Sequence, residues 1–128
     1  MRTLLQQLST TLEGELFYDD TIRALYATDA SAYREIPLAV AMPRSDADIK
    51  KLVAFANARN TSLIPRTAGT SLAGQVVGSG IVVDVSKYFT KIIEVNTTEN
   101  WVRVQPGVIR DELYLFLKPH GLSFRPEK

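Results

Sequence analysis

Cysteine is absent from all 128 residues, and histidine occurs once. The first absence removes a disulfide framework, a thiolate nucleophile and a cysteine metal cluster, and leaves the redox compartment open. Net charge is nearly missing as well: 15 basic against 14 acidic side chains leave +1, so no strong field draws the chain to nucleic acid or an anionic membrane. No apolar run approaches the roughly 18 residues of a membrane span, and MRTLLQQLSTTLEGE breaks its leucines with glutamines too early for a signal peptide. The cytoplasm is the expected location. Internal repeats and low-complexity segments are lacking too. What is present is ordinary globular composition, 45% apolar and 23% charged, in a length that suits one domain with a real core.

Leu4, Leu5, Leu8 and Leu12 recur at helical spacing before Gly14, which predicts a short amphipathic helix over residues 3–13. The following FYDDTIRALYATDASAYREI has no clean period and reads as a lead-in arm, so residues 1–35 are expected to precede a main domain over 36–128. That domain opens with LAVA, a short buried strand ended by Pro43. Ser45 then stands as N-cap with Asp48 three residues on, and Ile49, Leu52, Val53 and Ala56 share a face, predicting a helix over 46–59 that Asn60 stops. Residues 61–65 form a second strand after this helical crossover, expected to run parallel to the first. Residues 80–84, GIVVD, make a third strand, and 92–95 and 101–105 flank the turn NTTEN as a hairpin. Pro106-Gly107 turns the chain into a helix over about 109–118, with Ile109, Leu113, Phe116 and Leu117 on one face and Pro119 and Gly121 ending it. The predicted fold class is α/β (α+β): a small β-α-β parallel unit plus hairpin strands, flanked by helices.

The stretch PRTAGTSLAGQ is then the long loop after the second strand of a β-α-β unit, where open sheets bind ligands. Gly69 and Gly74 can take dihedrals closed to other residues, and the small Ala68, Thr70, Ser71 and Ala73 let backbone approach a ligand closely. Successive inward N–H groups form a nest for phosphate oxygens, with the Thr70 and Ser71 hydroxyls as further donors. The two glycines have the spacing of a Walker A loop, but Gln75-Val76 replaces the lysine and hydroxyl that ATP chemistry needs. Gly78-Ser79-Gly80 begins like a dinucleotide fingerprint, but Val83 holds the third glycine position and the segment enters a strand. Spacing alone stops at two readings, a phosphate-bearing ligand or a plain surface connection.

The order PLAVAMPRSDADIKKLVAFANARNTSLIPRTAGTSLAGQ, then GIVVDVSKYFTKIIEVN, then WVRVQPGVIRDELYLFLKPHGL resembles the FAD-binding domain of the vanillyl-alcohol-oxidase/PCMH flavoprotein superfamily over about residues 36–124. With the arm YATDASAY it is similar to the branch of glycolate oxidase and the FAD-linked D-lactate dehydrogenases. The resemblance implies that a loop made of Pro65, Arg66, Thr67, Ala68, Gly69, Thr70, Ser71, Leu72 and Gly74 wraps the FAD pyrophosphate. It further implies that the turn Pro106, Gly107, Val108 lies along the cofactor and that Ser86 passes near the flavin. Thr70 follows Gly69 where covalently flavinylated relatives place a histidine, so the FAD is expected to be non-covalent. Relatives continue into a second glycine-rich run and a substrate domain, so the chain is expected to be an N-terminal piece of a 2-hydroxy-acid dehydrogenase, cut inside the FAD domain. It would carry no catalytic residue, meet its hydroxy acid only through the missing domains, and self-associate through an uncovered apolar face.

Other candidates have plainer readings beside the chemical ones. His120 is a cation just past a helix C-terminus, where the dipole favours it, and no Ser-His-Asp or metal constellation forms around it. Arg66 either faces the pyrophosphate or pairs with a surface acid. Trp101 reads as hairpin packing, Ser86 equally as the cap of the turn SKYF, and Asp19-Asp20 and Asp111-Glu112 as solvated acids. A second class of function stays open: a stand-alone module that holds a phosphorylated ligand or a partner chain and catalyses nothing.

Overall fold

The computed structural model describes residues 1–124; residues 125–128, on which the expected cut falls, lie outside the described residues. The chain divides into two compact units, Met1–Tyr88 and Phe89–Lys128.

The first unit runs α1 (Arg2–Thr11), β1 (Glu15–Phe17), α2 (Asp20–Leu25), β2 (Ala39–Met42), α3 (Asp46–Arg59), β3 (Leu63–Arg66) and β4 (Ile81–Asp84). Its sheet has the order β1-β2-β4-β3, with β1 antiparallel to β2 and both β2 and β3 parallel to β4. The expected parallel relation of β2 and β3 therefore holds in direction, but β4 lies between them. Composition explains the placement. Ile81, Val82, Val83 and Asp84 are all buried, as are Ala39, Val40 and Ala41, the apolar runs that central parallel strands require. Pro65 has no N–H for a ladder, and β3 stands at the sheet edge, where that loss is tolerated. Val40, Leu52, Ile81 and Val82 are fully buried, each worth about 1.5–3 kcal/mol relative to exposure.

Helix α3 has the predicted span. The Ser45 hydroxyl accepts from the Asp48 N–H at 3.2 Å, and Asn60 ends the helix in the left-handed region at φ 51°. Leu52 and Ala56 face inward as expected, but Val53 is 52% exposed, because the buried stripe runs through Asp48, Leu52 and Ala56 instead. Asp48 is fully buried and its carboxylate accepts from the N–H groups of Glu13 (2.8 Å), Gly14 (2.8 Å) and Arg44 (2.9 Å). Burial opposes its charge, yet these three donors hold the carboxyl below its ordinary value. One side chain thus ties the α1–β1 link to the start of α3.

The arm is more regular than its sequence. Strand β1 has three residues, and α2 has six with none buried, capped by the Asp19 carboxylate, which accepts from the Ile22 N–H at 3.2 Å. Elements this short leave no periodic signal to read. Helix α1 also stops at Thr11, two residues before the expected end, with Leu12 extended.

The second unit holds the hairpin β5 (Ile92–Asn96) and β6 (Trp101–Val104), with an irregular register between Ile92 and Glu94, then α4 (Arg110–Leu117) and a 3-10 turn, Lys118–His120. The Asn96 side chain closes the hairpin turn by accepting from the N–H groups of Thr98 and Glu99. The predicted apolar face of α4 is only half right. Leu113 and Leu117 are buried, but Ile109 precedes the helix and is 59% exposed, while Phe116 is half-exposed with its ring 5.6 Å from that of His120.

Candidate functional site

Strand β3 leaves the parallel sheet at Arg66, and the chain then crosses open surface before re-entering at β4. Thr67, Ala68, Thr70 and Leu72 are exposed, Leu72 at 82%, and Gly69 and Gly74 both sit at positive φ, 69° and 71°. The N–H groups of Ala68, Gly69 and Leu72 meet no acceptor among the described residues. An exposed backbone at the end of parallel strands, with donors to spare, fits a polyanionic ligand. The Ser71 hydroxyl is otherwise engaged: it donates to Gln75 Oε1 at 2.6 Å and accepts from the N–H groups of Ala73 and Gln75, both at 3.3 Å. Its side chain braces the loop from within.

The sequence leaves two courses open to Arg66, the pyrophosphate or a surface acid. Its guanidinium turns to the arm, donating to the Thr28 carbonyl at 2.8 Å and reaching the Tyr26 carbonyl at 3.5 Å, above the Tyr26 ring at 5.0 Å from its centroid. It forms no ion pair with a surface acid among the described residues. The Tyr26 hydroxyl donates to the buried Asp84 at 2.6 Å, and burial together with that carboxylate pushes its pKa up to about 12. Ser86 donates both its N–H (2.9 Å) and its hydroxyl (2.6 Å) to the other oxygen of Asp84, so it closes the turn after β4. The Ala30 N–H donates to the Gly69 carbonyl at 3.1 Å. Asp29, held below its ordinary value chiefly by the Ser31 hydroxyl and helped by the charge of Arg66, belongs to the same cluster.

The arm around YATDASAY is therefore part of the candidate site. Tyr26, Thr28, Ala30 and Asp84 were missed as site residues because their contacts are long-range in sequence. The only sequence signal was the motif itself. Pro106, Gly107 and Val108 lie in the second unit, where the Gly107 N–H donates to the Phe89 carbonyl at 2.7 Å and the Val108 N–H to Gln105 at 3.2 Å. Trp101 sits half-exposed on the hairpin with Arg103 over its ring. A cleft of about 430 Å³ in the first unit, lined by Arg2, Leu5, Tyr18 and Arg23 among others, includes none of the expected residues. Among the described residues no group of three or more acids and histidine could hold a metal ion, and no helix is long and apolar enough to cross a membrane.

The family of FAD binding domains matches residues 37–128. This chain belongs to that family. Among curated relatives of this FAD binding domain, D-2-hydroxyglutarate dehydrogenase of Haemophilus influenzae is 43% identical over 118 residues, covering 90% of this chain and 12% of the relative. The mitochondrial D-lactate dehydrogenase (cytochrome) of Kluyveromyces lactis is 40% identical over 111 residues, covering 84% of this chain and 19% of the relative. The chain thus spans a minor share of the proteins it matches. Alkyldihydroxyacetonephosphate synthase shares the fold, with a TM-score of 0.79 at 19% identity over 96% of this chain and 26% of its own. The mixed α/β fold and the vanillyl-alcohol-oxidase/PCMH family expected from the motifs are both supported, as is FAD as the cofactor.

Proposed function

We propose that this chain is the FAD-gripping part of an oxidoreductase acting on a D-2-hydroxy acid, with the pyrophosphate held on the loop over residues 67–74. The observation that carries the reading is that the N–H groups of Ala68, Gly69 and Leu72 meet no acceptor among the described residues, beside two glycines at positive φ at the end of the parallel strands. The substrate class rests on the names of relatives that act on D-2-hydroxyglutarate and D-lactate. FAD, when bound, supplies the capacity to accept a hydride from a substrate carbon. The chain's own residues bind and orient. The N–H groups of Ala68, Gly69 and Leu72 would donate to phosphate oxygens, and Thr70 would add its hydroxyl. This chain's own hold on the flavin is non-covalent in this reading, since Thr70 offers no ring nitrogen and the 128 residues contain no cysteine. The Pro106, Gly107 and Val108 turn is proposed as a second backbone contact with the cofactor, and catalytic groups are placed outside this chain. A cytoplasmic setting is consistent with the balanced charge and ordinary composition. The exposed Leu72, Ile109 and Leu115 extend the proposal to self-association through apolar surface, which light scattering tests.

Titration of the purified chain with FAD, ADP and FMN, followed by flavin fluorescence and calorimetry, tests the reading. FAD and ADP are expected to bind saturably and FMN not to bind, because the loop grips the pyrophosphate and adenosine side. Equal binding of FMN and FAD would remove the pyrophosphate from the loop.

A further inference from the structure

We infer that Arg66 is a positioning residue, which fixes the loop over residues 67–74 from behind instead of contacting phosphate; its consequence for FAD rests on the function proposed above. Four observations converge on the side chain. Its backbone is pinned, because the Arg66 carbonyl accepts from the Val85 N–H at 3.0 Å and the residue lies opposite Asp84 in the β3–β4 ladder. Its guanidinium is held from the arm by the Thr28 and Tyr26 carbonyls and by the Tyr26 ring. That ring is itself fixed by the hydrogen bond from the Tyr26 hydroxyl to the buried Asp84. Finally, the guanidinium lies against the backbone of Gly69: a Cβ at this position would stand 2.8 Å from Arg66 Cζ and closer still to Nη2.

This last contact gives Gly69 a second reason to be glycine. Its φ of 69° already disfavours a side chain, and the space where a Cβ would go is taken by Arg66. The Gly69 carbonyl in turn accepts from the Ala30 N–H at 3.1 Å. The peptide at Gly69 therefore touches both the guanidinium and the arm, and the N–H groups of Ala68 and Gly69 keep no acceptor among the described residues. A planar fork that donates to carbonyls while stacking on a ring is a task for arginine; a lysine is a point charge on a flexible stem and cannot do both. A phosphate-contacting arginine has a different signature, because loss of its charge in Arg66→Gln would weaken the salt dependence of ligand binding.

The test compares Arg66→Gln and Arg66→Lys with the unaltered chain. Amide hydrogen exchange is followed residue by residue without ligand, and FAD and ADP are titrated at low and high salt. The expected result is faster exchange in both variants at the hydrogen-bonded amides of arm and loop, Ala30, Ala73 and Gln75, with the amides of β2 and β4 unchanged. FAD and ADP affinities should fall by roughly tenfold in both variants, with the salt dependence of the unaltered chain. Three results would overturn the inference: unchanged exchange at Ala30 and the loop in Arg66→Gln; recovery of affinity to within twofold in Arg66→Lys; or faster exchange throughout β2 and β4, which would make Arg66 a general stabiliser. If the unaltered chain bound neither FAD nor ADP, the proposed function would fail, and the ligand-free exchange pattern alone would decide the role of Arg66.

Discussion

Two charged side chains in the first unit gather backbone partners, and they do so to opposite ends. Asp48 draws three N–H groups onto a fully buried carboxylate, and every one of those groups is thereby satisfied. Arg66 draws two carbonyls and a ring toward itself, and in the loop beside it the N–H groups of Ala68, Gly69 and Leu72 keep no acceptor among the described residues. The first arrangement consumes donors, and so it can only stabilise. The second consumes acceptors and leaves donors over, which is what a site for an anionic ligand requires. Charge sign decides the difference: a carboxylate at a loop would have competed with phosphate for the same amides.

The largest expected effect is on the buried side of this comparison. Asp48→Ala takes the acceptor from three part-buried N–H donors and leaves a gap at a fully buried position, and should cost about 3 kcal/mol in denaturant unfolding, with the exchange of loop residues 67–75 unaltered below the unfolding transition. Because the folded value of Asp48 lies below its ordinary 3.8, its contribution is fully present above that value and is lost as pH falls through the folded value. Stability should be level from pH 7 to 5 and decline below about pH 4. In Asp48→Asn that acid decline should be shallower. An unchanged acid limb would show that Asp48 does not carry the linkage.

Gly69→Val comes next and strikes the exposed side. A β-branched residue at φ 69° must also displace Arg66, so FAD affinity should fall tenfold or more, with a stability loss of about 1–2 kcal/mol. If stability fell as far as in Asp48→Ala while affinity held, the loop would belong with the core and not with the ligand. Tyr26→Phe is milder. It removes one hydrogen bond to Asp84, which keeps both donors from Ser86, and should cost about 1 kcal/mol. Since the pKa of Tyr26 is raised to about 12, its contribution is present below pH 10 and lost as pH climbs through the folded value. The variant should lack that alkaline step.

The same contrast separates what the sequence made legible from what it hid. The bounds of helix α3 were readable to the residue because its cap and its stop are local signals. The loop was readable because glycines among small hydroxylated residues mark an unusual backbone. The arm was not: β1 and α2 are too short for periodicity, and the fixing of Arg66 by Thr28 and Tyr26 spans about 40 residues of chain. Asp48 shows the same limit. As the third residue after Ser45 it looked like part of a cap, and nothing local announced that Glu13 and Gly14 would return to it. The exposure of Val53, Ile109 and Phe116 has a similar origin, since a helical face says which residues share a side and not where burial ends.

The smallest effect gives the finest test. Gly74 sits at φ 71°, nearly the value at Gly69, and a Cβ there would meet the ring of Tyr33, 2.7 Å from Cδ2. The two positions thus carry the same backbone strain, about 1 kcal/mol for a side chain in the left-handed region. They differ in the obstacle. Tyr33 is 63% exposed, so its ring can turn into solvent and leave only its Cβ at 3.1 Å, whereas Arg66 is held by two carbonyls and a ring. Gly74→Ala should therefore lower FAD affinity by no more than about threefold, and Gly69→Ala by distinctly more, both read by titration against the unaltered chain. Equal losses would mean that backbone dihedral alone governs the loop and that the fixed guanidinium adds nothing; a gap between them measures what Arg66 contributes.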